Sequence, residues 1–166
     1  AYRTARALLW ASGPGMAPDA VQRGFKLTLR QNIQQGCDLS LADILTAQRA
    51  KSDLFDRMVA FLDDFDVLAC PVVGGMPGPV EEEFPRAIAG KPLTDYIDWF
   101  RFSFLSAITG LPSISVPVGL SAQGMPVGLQ LIGHHRGEAR LLQAARVVEE
   151  AMGGPLGPID PVVRQG

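Results

Sequence analysis

Two apolar segments separated by a short turn constrain the fold of this chain more than any other feature. In Ser113–Leu120 apolar residues alternate with small ones, which is the two-residue period of a β-strand. The turn Ser121–Gly124 follows, and Pro126–Gly133 is a second apolar segment. Two such segments joined by a loop of about four residues predict a β-hairpin.

The N-terminal region has the pattern of two helices. A short helix is predicted over Tyr2–Trp10, and a glycine- and proline-rich stretch ends it. Between Asp19 and Gln35 every fourth residue is apolar, so one face of a second helix is apolar and Gly36 is expected to end that helix. This face consists of Val21, Phe25, Leu29 and Ile33.

A long helix is predicted after residue 40. Ser40 and Asp43 have the spacing of a capping box, with Asp in the place of Glu, and the helix should run to about Leu62. Its buried stripe is predicted to consist of Leu41, Ile44, Leu45, Leu54, Phe55, Met58, Val59 and Leu62. The charged residues of the opposite face, interpreted as a solvated surface, are Arg49, Lys51, Asp53, Asp56, Arg57 and Asp63.

The next segment, Asp66–Val73, is apolar and predicts a short, fully buried strand whose pairing Pro71 ends. An exposed loop should follow over Gly74–Ala89. Its three adjacent glutamates, 81–83, do not converge on one point, so a solvated loop is favoured over a metal site.

Two further helices are expected. One runs from about Thr94 to Gly110 and is buried on most of its surface because aromatic residues occur on several of its sides. The other runs from about Gly137 to Met152. Its inward residues are predicted to be Leu141, Leu142, Ala145, Val148 and Met152.

Composition excludes several classes of protein. The formal net charge is -2, so no polyanion-binding surface is indicated and no nucleic-acid partner is expected. No apolar run approaches the ~18 residues of a membrane span, and no signal peptide is recognisable, so we expect a cytoplasmic protein without a membrane partner. Cys37 and Cys70 are too few for a disulfide framework and are predicted to be buried thiols. The chain begins at Ala1, not at Met, from which we expect a missing upstream part.

The residues themselves carry little catalytic chemistry. His134 or His135 could serve Cys70 as a base, but nothing in their spacing requires it. The sequence has no C-x-x-C, H-E-x-x-H, phosphate-loop or G-x-S-x-G motif, so neither a metal nor another cofactor is expected. A cysteine-based hydrolase therefore stays one open alternative.

Three strings in the C-terminal half form a composite motif. They are Thr109–Pro112 (T-G-L-P), Ser115–Gly119 (S-V-P-V-G) and Gly124–Gly133 (G-M-P-V-G-L-Q-L-I-G). In this order and spacing they closely resemble the C-terminal region of the amidase signature family. Upstream, Asp66–Pro71 is similar to the family's D-V-L-L-T-P segment, and the resemblance covers about Leu39–Gly153.

The resemblance implies an α/β fold. The chain would be a fragment of an α/β/α sandwich, with helices packed on a small mixed β-sheet that includes the hairpin. We expect a single domain over 1–166, divided into an N-terminal helical segment (1–38), an amidase-like core (39–153) and a tail (154–166). Because the fragment's strands would lack some sheet neighbours, the isolated chain is expected to self-associate.

The resemblance also implies a reaction. Enzymes of this family hydrolyse an amide C–N bond with a Ser, a cis-Ser and a Lys, which lie in the N-terminal part of the family's chain. Here no Ser-Ser or Gly-Gly-Ser occurs, and the lysines 26, 51 and 91 are not in that context. The chain is therefore expected to be an inactive C-terminal fragment with no catalytic residue of its own. The alternative is a non-catalytic binding or scaffolding domain of the same fold.

Substrate-lining residues are implied for the acyl side of the site. The matching positions are Cys70, Val72, Trp99, Phe100 and Ser103. They are mostly apolar, which suits a small-molecule amide with an apolar or aromatic acyl group.

A departure from one branch of the family concerns polar substrate contacts. The tRNA amidotransferase subunits that belong to this family carry an Asp and an Asn where this chain has Phe100 and Ala107. The polar groups for a glutamine substrate are therefore missing. The resemblance thus favours a stand-alone amidase.

Overall fold

The computed structural model of the chain describes residues 1–12 and 24–154. The helices, in chain order, are α1 (Tyr2–Ala11), α2 (Leu27–Cys37), α3 (Leu41–Asp63), α4 (Tyr96–Trp99), α5 (Phe104–Thr109) and α6 (Glu138–Ala151). The strands are β1 (Leu68–Pro71), β2 (Ala87–Ile88), β3 (Lys91–Pro92), β4 (Ser113–Leu120) and β5 (Pro126–Ile132).

The predicted hairpin is confirmed. Strands β4 and β5 pair antiparallel, with Ser113 opposite Ile132 and Leu120 opposite Pro126. In the turn the amide of Gly124 donates to the carbonyl of Ser121 over 2.9 Å. Gly124 has a φ of 77°, a left-handed conformation that explains a glycine at this position.

Strand β1 differs from its prediction. It is confined to Leu68–Pro71 and alternates between half-buried and exposed residues, so the expected fully buried strand over 66–73 is wrong. The sheet order is β1-β5-β4, which makes β1 an outer strand with only one neighbour among the described residues. Pro71 is its last residue, as predicted. Both pairings of this sheet are antiparallel, whereas the resemblance implies a mixed sheet.

Helices pack on both faces of the three-stranded sheet. Adjacent residues of β5 point to opposite faces. Ile132 is fully buried against Met58 and Leu62 of α3. On the other face, Leu131 packs with Leu141 of α6. The described residues thus form an α/β/α arrangement, which confirms the predicted fold class.

Helix α3 begins as predicted and is buried less than predicted. The Ser40 hydroxyl accepts from the Asp43 amide, and the Asp43 carboxylate accepts from the Ser40 amide, so the capping box is confirmed. Of the predicted stripe only Met58 and Leu62 are buried, and Leu41 is 70% exposed. The C-terminal half of α3 lies on the sheet. In the N-terminal half, which lies beside α1, Leu41 and Leu45 of the predicted stripe are exposed.

Gly36 does not end α2 and instead allows a close contact between two helices. The helix continues to Cys37, and Gly36 is buried within it. A Cβ atom at this position would lie 2.1 Å from the carbonyl oxygen of Ala7 and 2.6 Å from the Cβ of Ala11. Only glycine lets α1 approach so closely. Cys37 is exposed and Cys70 is half-buried, so the prediction of two buried thiols is wrong.

The start of this helix also differs from its prediction. It begins at Leu27, and Phe25 precedes it. The predicted residues Asp19 and Val21 lie outside the described part of the chain.

The helix predicted from Thr94 to Gly110 is interrupted. Helices α4 and α5 are separated by residues 100–103, and the backbone of Phe100, the first of them, is not helical (φ -99°, ψ 40°). The Ser103 hydroxyl donates to the Phe100 carbonyl over 2.7 Å and so satisfies a group that a continuous helix would have bonded. Gly110 ends α5 in a left-handed conformation, as predicted.

Helix α6 agrees with its predicted bounds, but two of its predicted inward residues face solvent. Leu141 and Ala145 are buried, whereas Leu142 and Met152 are more than half exposed.

The predicted tail, except for Gly154, lies outside the described residues. Among the described helices none is both long and apolar enough to cross a bilayer. In the same residues no cluster of His, Cys, Asp and Glu side chains could hold a metal ion.

Candidate functional site

An open apolar groove of about 540 Å³ lies beside strand β1, and we call it the acyl groove. Strand β1, helix α3 and helix α5 contribute its walls. The lining residues are Ala1, Tyr2, Leu54, Leu68, Cys70, Arg101, Phe102, Phe104, Leu105 and Ile108. Its volume is within the range of about 300–1,000 Å³ found for small-molecule sites.

Local geometry explains why these side chains converge. Leu68 and Cys70 are two residues apart on β1, so both point to the face of the sheet that α3 covers. Leu105 and Ile108 are three residues apart on α5, so they share one face of that helix. The Phe104 ring stacks on the Tyr2 ring with centroids 3.8 Å apart, which brings the N-terminus of α1 to the groove.

Cys70 is not arranged as a nucleophile. Burial raises the pKa of its thiol, which is opposite to the lowered pKa that activates a cysteine. Cys70 pairs with Gln130, whereas His134 follows the end of β5 at Ile132 and is not opposite Cys70 in the sheet. The His134 Nε2 atom is instead 3.1 Å from the carbonyl oxygen of Phe65, and the His135 ring lies against Phe55.

A buried amide lies next to Cys70 on the same face of the sheet. Gln130 is buried, and its Nε2 atom donates to the Ser106 hydroxyl oxygen over 3.1 Å. Because this donor is satisfied by α5, it ties the helix to the sheet beside the groove. The arrangement stabilises the groove wall and offers no base to the thiol.

The structure brings one of the five predicted pocket residues, Cys70, to the groove wall. Val72 is half-buried beyond the end of β1. Trp99 and Phe100 belong to an aromatic cluster, in which Phe100 also contacts Tyr96 and Phe104. The hydroxyl of Ser103 donates a hydrogen bond to the Phe100 carbonyl. A role of these residues in substrate binding stays a prediction.

Sequence reasoning missed several lining residues. The spacing of Leu105 and Ile108 predicts a core-facing stripe, and this spacing is the available signal for them. Tyr2 is far from Phe104 in sequence, and no periodic pattern links the two. Arg101 lies in the interruption between α4 and α5, where the predicted continuous helix placed no site.

Asp98 is the centre of a charge network at one end of the groove. It is 9% exposed, and one of its oxygens accepts from Arg3 over 2.7 Å and from Arg101 over 2.8 Å. The other oxygen accepts from the Thr94 hydroxyl over 2.7 Å. The hydrogen bonds from Arg101, Thr94 and Arg3 hold the pKa of this carboxyl well below its usual range, so Asp98 is charged at neutral pH.

Comparison with known proteins assigns the family. The family model for amidases matches residues 10–142. The chain belongs to the amidase signature family. An acylamidase from Rhodococcus erythropolis is 32% identical over 108 residues, which are 64% of this chain and 22% of that protein. A fatty acid amide hydrolase from Oryza sativa subsp. indica is 33% identical over 76% of this chain and 21% of its own length.

Other relatives and solved structures agree with this assignment. A glutamyl-tRNA(Gln) amidotransferase subunit from Oleidesulfovibrio alaskensis is 34% identical over 86% of this amidase-family chain and 29% of its own length. A bacterial aryl acylamidase structure matches with a TM-score of 0.71 and 26% identity, over 93% of this chain and 34% of that one. The chain thus spans between a fifth and about a third of these relatives.

Proposed function

We propose that this chain is the C-terminal part of an amidase signature enzyme that hydrolyses a carboxylic amide C–N bond. In this proposal the catalytic Ser, cis-Ser and Lys lie upstream of the chain. Cys70, the thiol on the groove wall, has a raised pKa, and the contacts of the two histidines in the described residues are with Phe65 and Phe55 and not with this thiol. The names of the relatives, an acylamidase and fatty acid amide hydrolases among them, support amide hydrolysis.

The chain's contribution to the enzyme is the wall that receives the acyl group. The acyl groove carries this proposal, because it is lined by apolar and aromatic side chains and includes Cys70, a residue implied for the acyl side. Apolar walls favour an alkyl or aryl acyl group through the removal of its surface from water.

An amide with an apolar acyl group is favoured over glutamine as the substrate. Where the amidotransferase subunits of the family carry an Asp, this chain has Phe100, whose ring packs against the rings of Tyr96 and Phe104. Ala107 stands in place of the Asn and has no polar atom in its side chain. Neither residue offers a hydrogen bond to the polar head of glutamine.

The whole enzyme should therefore prefer apolar acyl amides to glutamine. We expect kcat/KM for octanamide to exceed that for glutamine, which releases the same ammonia, about 100-fold, because a hydrophobic site leaves the polar groups of glutamine without partners. Steady-state kinetics on a panel of anilides and primary amides measures the ratio. Glutamine as the best substrate would contradict the acyl assignment, and no hydrolysis of any amide would favour a scaffolding domain.

The isolated chain is proposed to self-associate. In the described part of the sheet, β1 and β4 each have one unpaired edge, and such edges pair with other chains. The exposed apolar residues of α6 include Leu142 and Val147, and the mean hydropathy of the chain is +0.15. We expect light scattering to give a mass above that of one chain, falling on dilution. A compact monomer at every concentration that binds no hydrophobic dye would refute this proposal.

A further inference from the structure

Arg101 places a positive charge on an otherwise apolar groove. Among the described lining residues it has the only charged side chain. It follows Phe100, the residue that interrupts the helix, so its position depends on the break between α4 and α5. A cation beside an apolar surface fits a ligand that has both an apolar body and an anionic group.

The guanidinium is held in place and still has donors to offer. Its Nη2 atom donates to the Asp98 carboxylate over 2.8 Å. This is its single side-chain hydrogen bond among the described residues, and a guanidinium carries five N–H donors. The Arg101 side chain is 70% exposed, so a ligand can reach the remaining donors.

The position of the Asp98 carboxylate, which orients Arg101, does not depend on Arg101 alone. Asp98 is also bonded to Arg3 and Thr94, and Arg3 in turn pairs with Asp95 over 2.6 Å. The formal charges of two arginines and two aspartates cancel within this network, so an anionic ligand would be bound by the exposed N–H donors of Arg101 and not by a net positive charge. Arg101 is thus oriented by a carboxylate that is fixed from three sides, which lowers the conformational freedom lost when a ligand binds.

We propose that the acyl groove binds an amphipathic carboxylate. Its apolar body lies along Leu68, Leu105 and Ile108, and its carboxylate pairs with Arg101. A planar guanidinium matches a carboxylate with two parallel hydrogen bonds, which a neutral hydroxyl cannot accept. As a statement about substrate this rests on the proposed function, and it then names the class: amides whose acyl group carries a carboxylate.

Binding to the 166-residue chain tests the proposal without catalysis. Octanoate and 1-octanol have similar apolar bodies and differ in charge, and isothermal titration calorimetry measures both dissociation constants. We expect octanoate to bind about 3- to 10-fold more tightly, a modest ratio because the pair is partly solvated. Added NaCl should weaken octanoate binding and leave 1-octanol binding unchanged.

Variants separate recognition from a structural role. Arg101→Gln should remove the preference for octanoate and leave 1-octanol binding unchanged, whereas Arg101→Lys should retain part of it. The matched control is Arg146→Gln on α6, an exposed arginine on the other face of the sheet, which should change neither affinity. Circular dichroism melting verifies that each variant is folded.

Several results would overturn the inference. These are equal affinities of the unmodified chain for the two ligands, no binding of either ligand, and an equal loss of both affinities in Arg101→Gln. Binding of 1-octanol that appears only on dilution to the monomer would show that a second copy of the chain closes the groove. This result would overturn the inference as well. If the whole enzyme hydrolyses amides but the 166-residue chain does not prefer octanoate to 1-octanol, this inference is rejected and the proposed function stands.

Discussion

Supplied alone, the 166-residue chain is expected to release no product from amides above the uncatalysed rate. Removing a nucleophile and its base from a hydrolase costs several orders of magnitude in rate, on the order of 10⁶ in a well-studied serine protease. In the described residues Cys70 is the half-buried thiol on the groove wall, and its partial burial raises its pKa away from the reactive thiolate. Release of p-nitroaniline from acetyl and octanoyl anilides is the measurement.

The control for this prediction is a set of variants that removes the remaining candidates. Cys70→Ser, His134→Ala and His135→Ala should each leave the background rate unchanged. Turnover that disappears in Cys70→Ser would establish the cysteine hydrolase instead. Turnover that survives all three changes would reveal a nucleophile outside those considered, and either result would contradict the upstream location of the catalytic residues.

Local patterns predicted the hairpin and the start of α3 correctly because short-range forces determine both. The alternation in β4 reflects the two faces of a strand. The capping box is complete within four residues, since Ser40 and Asp43 satisfy each other's amides. Neither feature depends on what packs against it.

Predictions that depended on neighbours were less successful. The apolar sequence around β1 is compatible with a central strand, but α6 packs on β4 and β5, so the face of β1 that carries Ala69 and Pro71 is exposed. Glycine is a residue type that often ends a helix, but Gly36 is required by the close approach of Ala7 on α1. Burial of this kind is set by tertiary packing, which a single sequence does not contain.

The site was predictable only in part for the same reason. Cys70 was identified through the strand motif in which it lies, and it lines the groove. Arg101 and Tyr2 reach the groove through a helix break and a ring stack with Phe104, respectively. These contacts join residues distant in sequence, and no spacing rule connects them.

Filling the acyl groove in the whole enzyme should change its substrate selectivity. Leu105→Trp places a larger side chain against Leu54 and Cys70, and Cys70→Phe fills the same space from the strand. We expect the ratio of kcat/KM for octanoyl- over acetyl-p-nitroanilide to fall about 10- to 100-fold, because a long acyl chain loses its apolar contacts and a short one does not. Leu142→Trp, on the exposed side of α6, is the matched control and should leave the ratio unchanged.

This ratio tests most directly whether the chain forms the acyl side of an amidase. If it does, both groove variants lose activity toward the octanoyl substrate and retain activity toward the acetyl substrate. Retained acetyl hydrolysis also shows that the variants are folded. An unchanged ratio in two active groove variants would contradict this role of the chain, because the acyl group would then bind elsewhere.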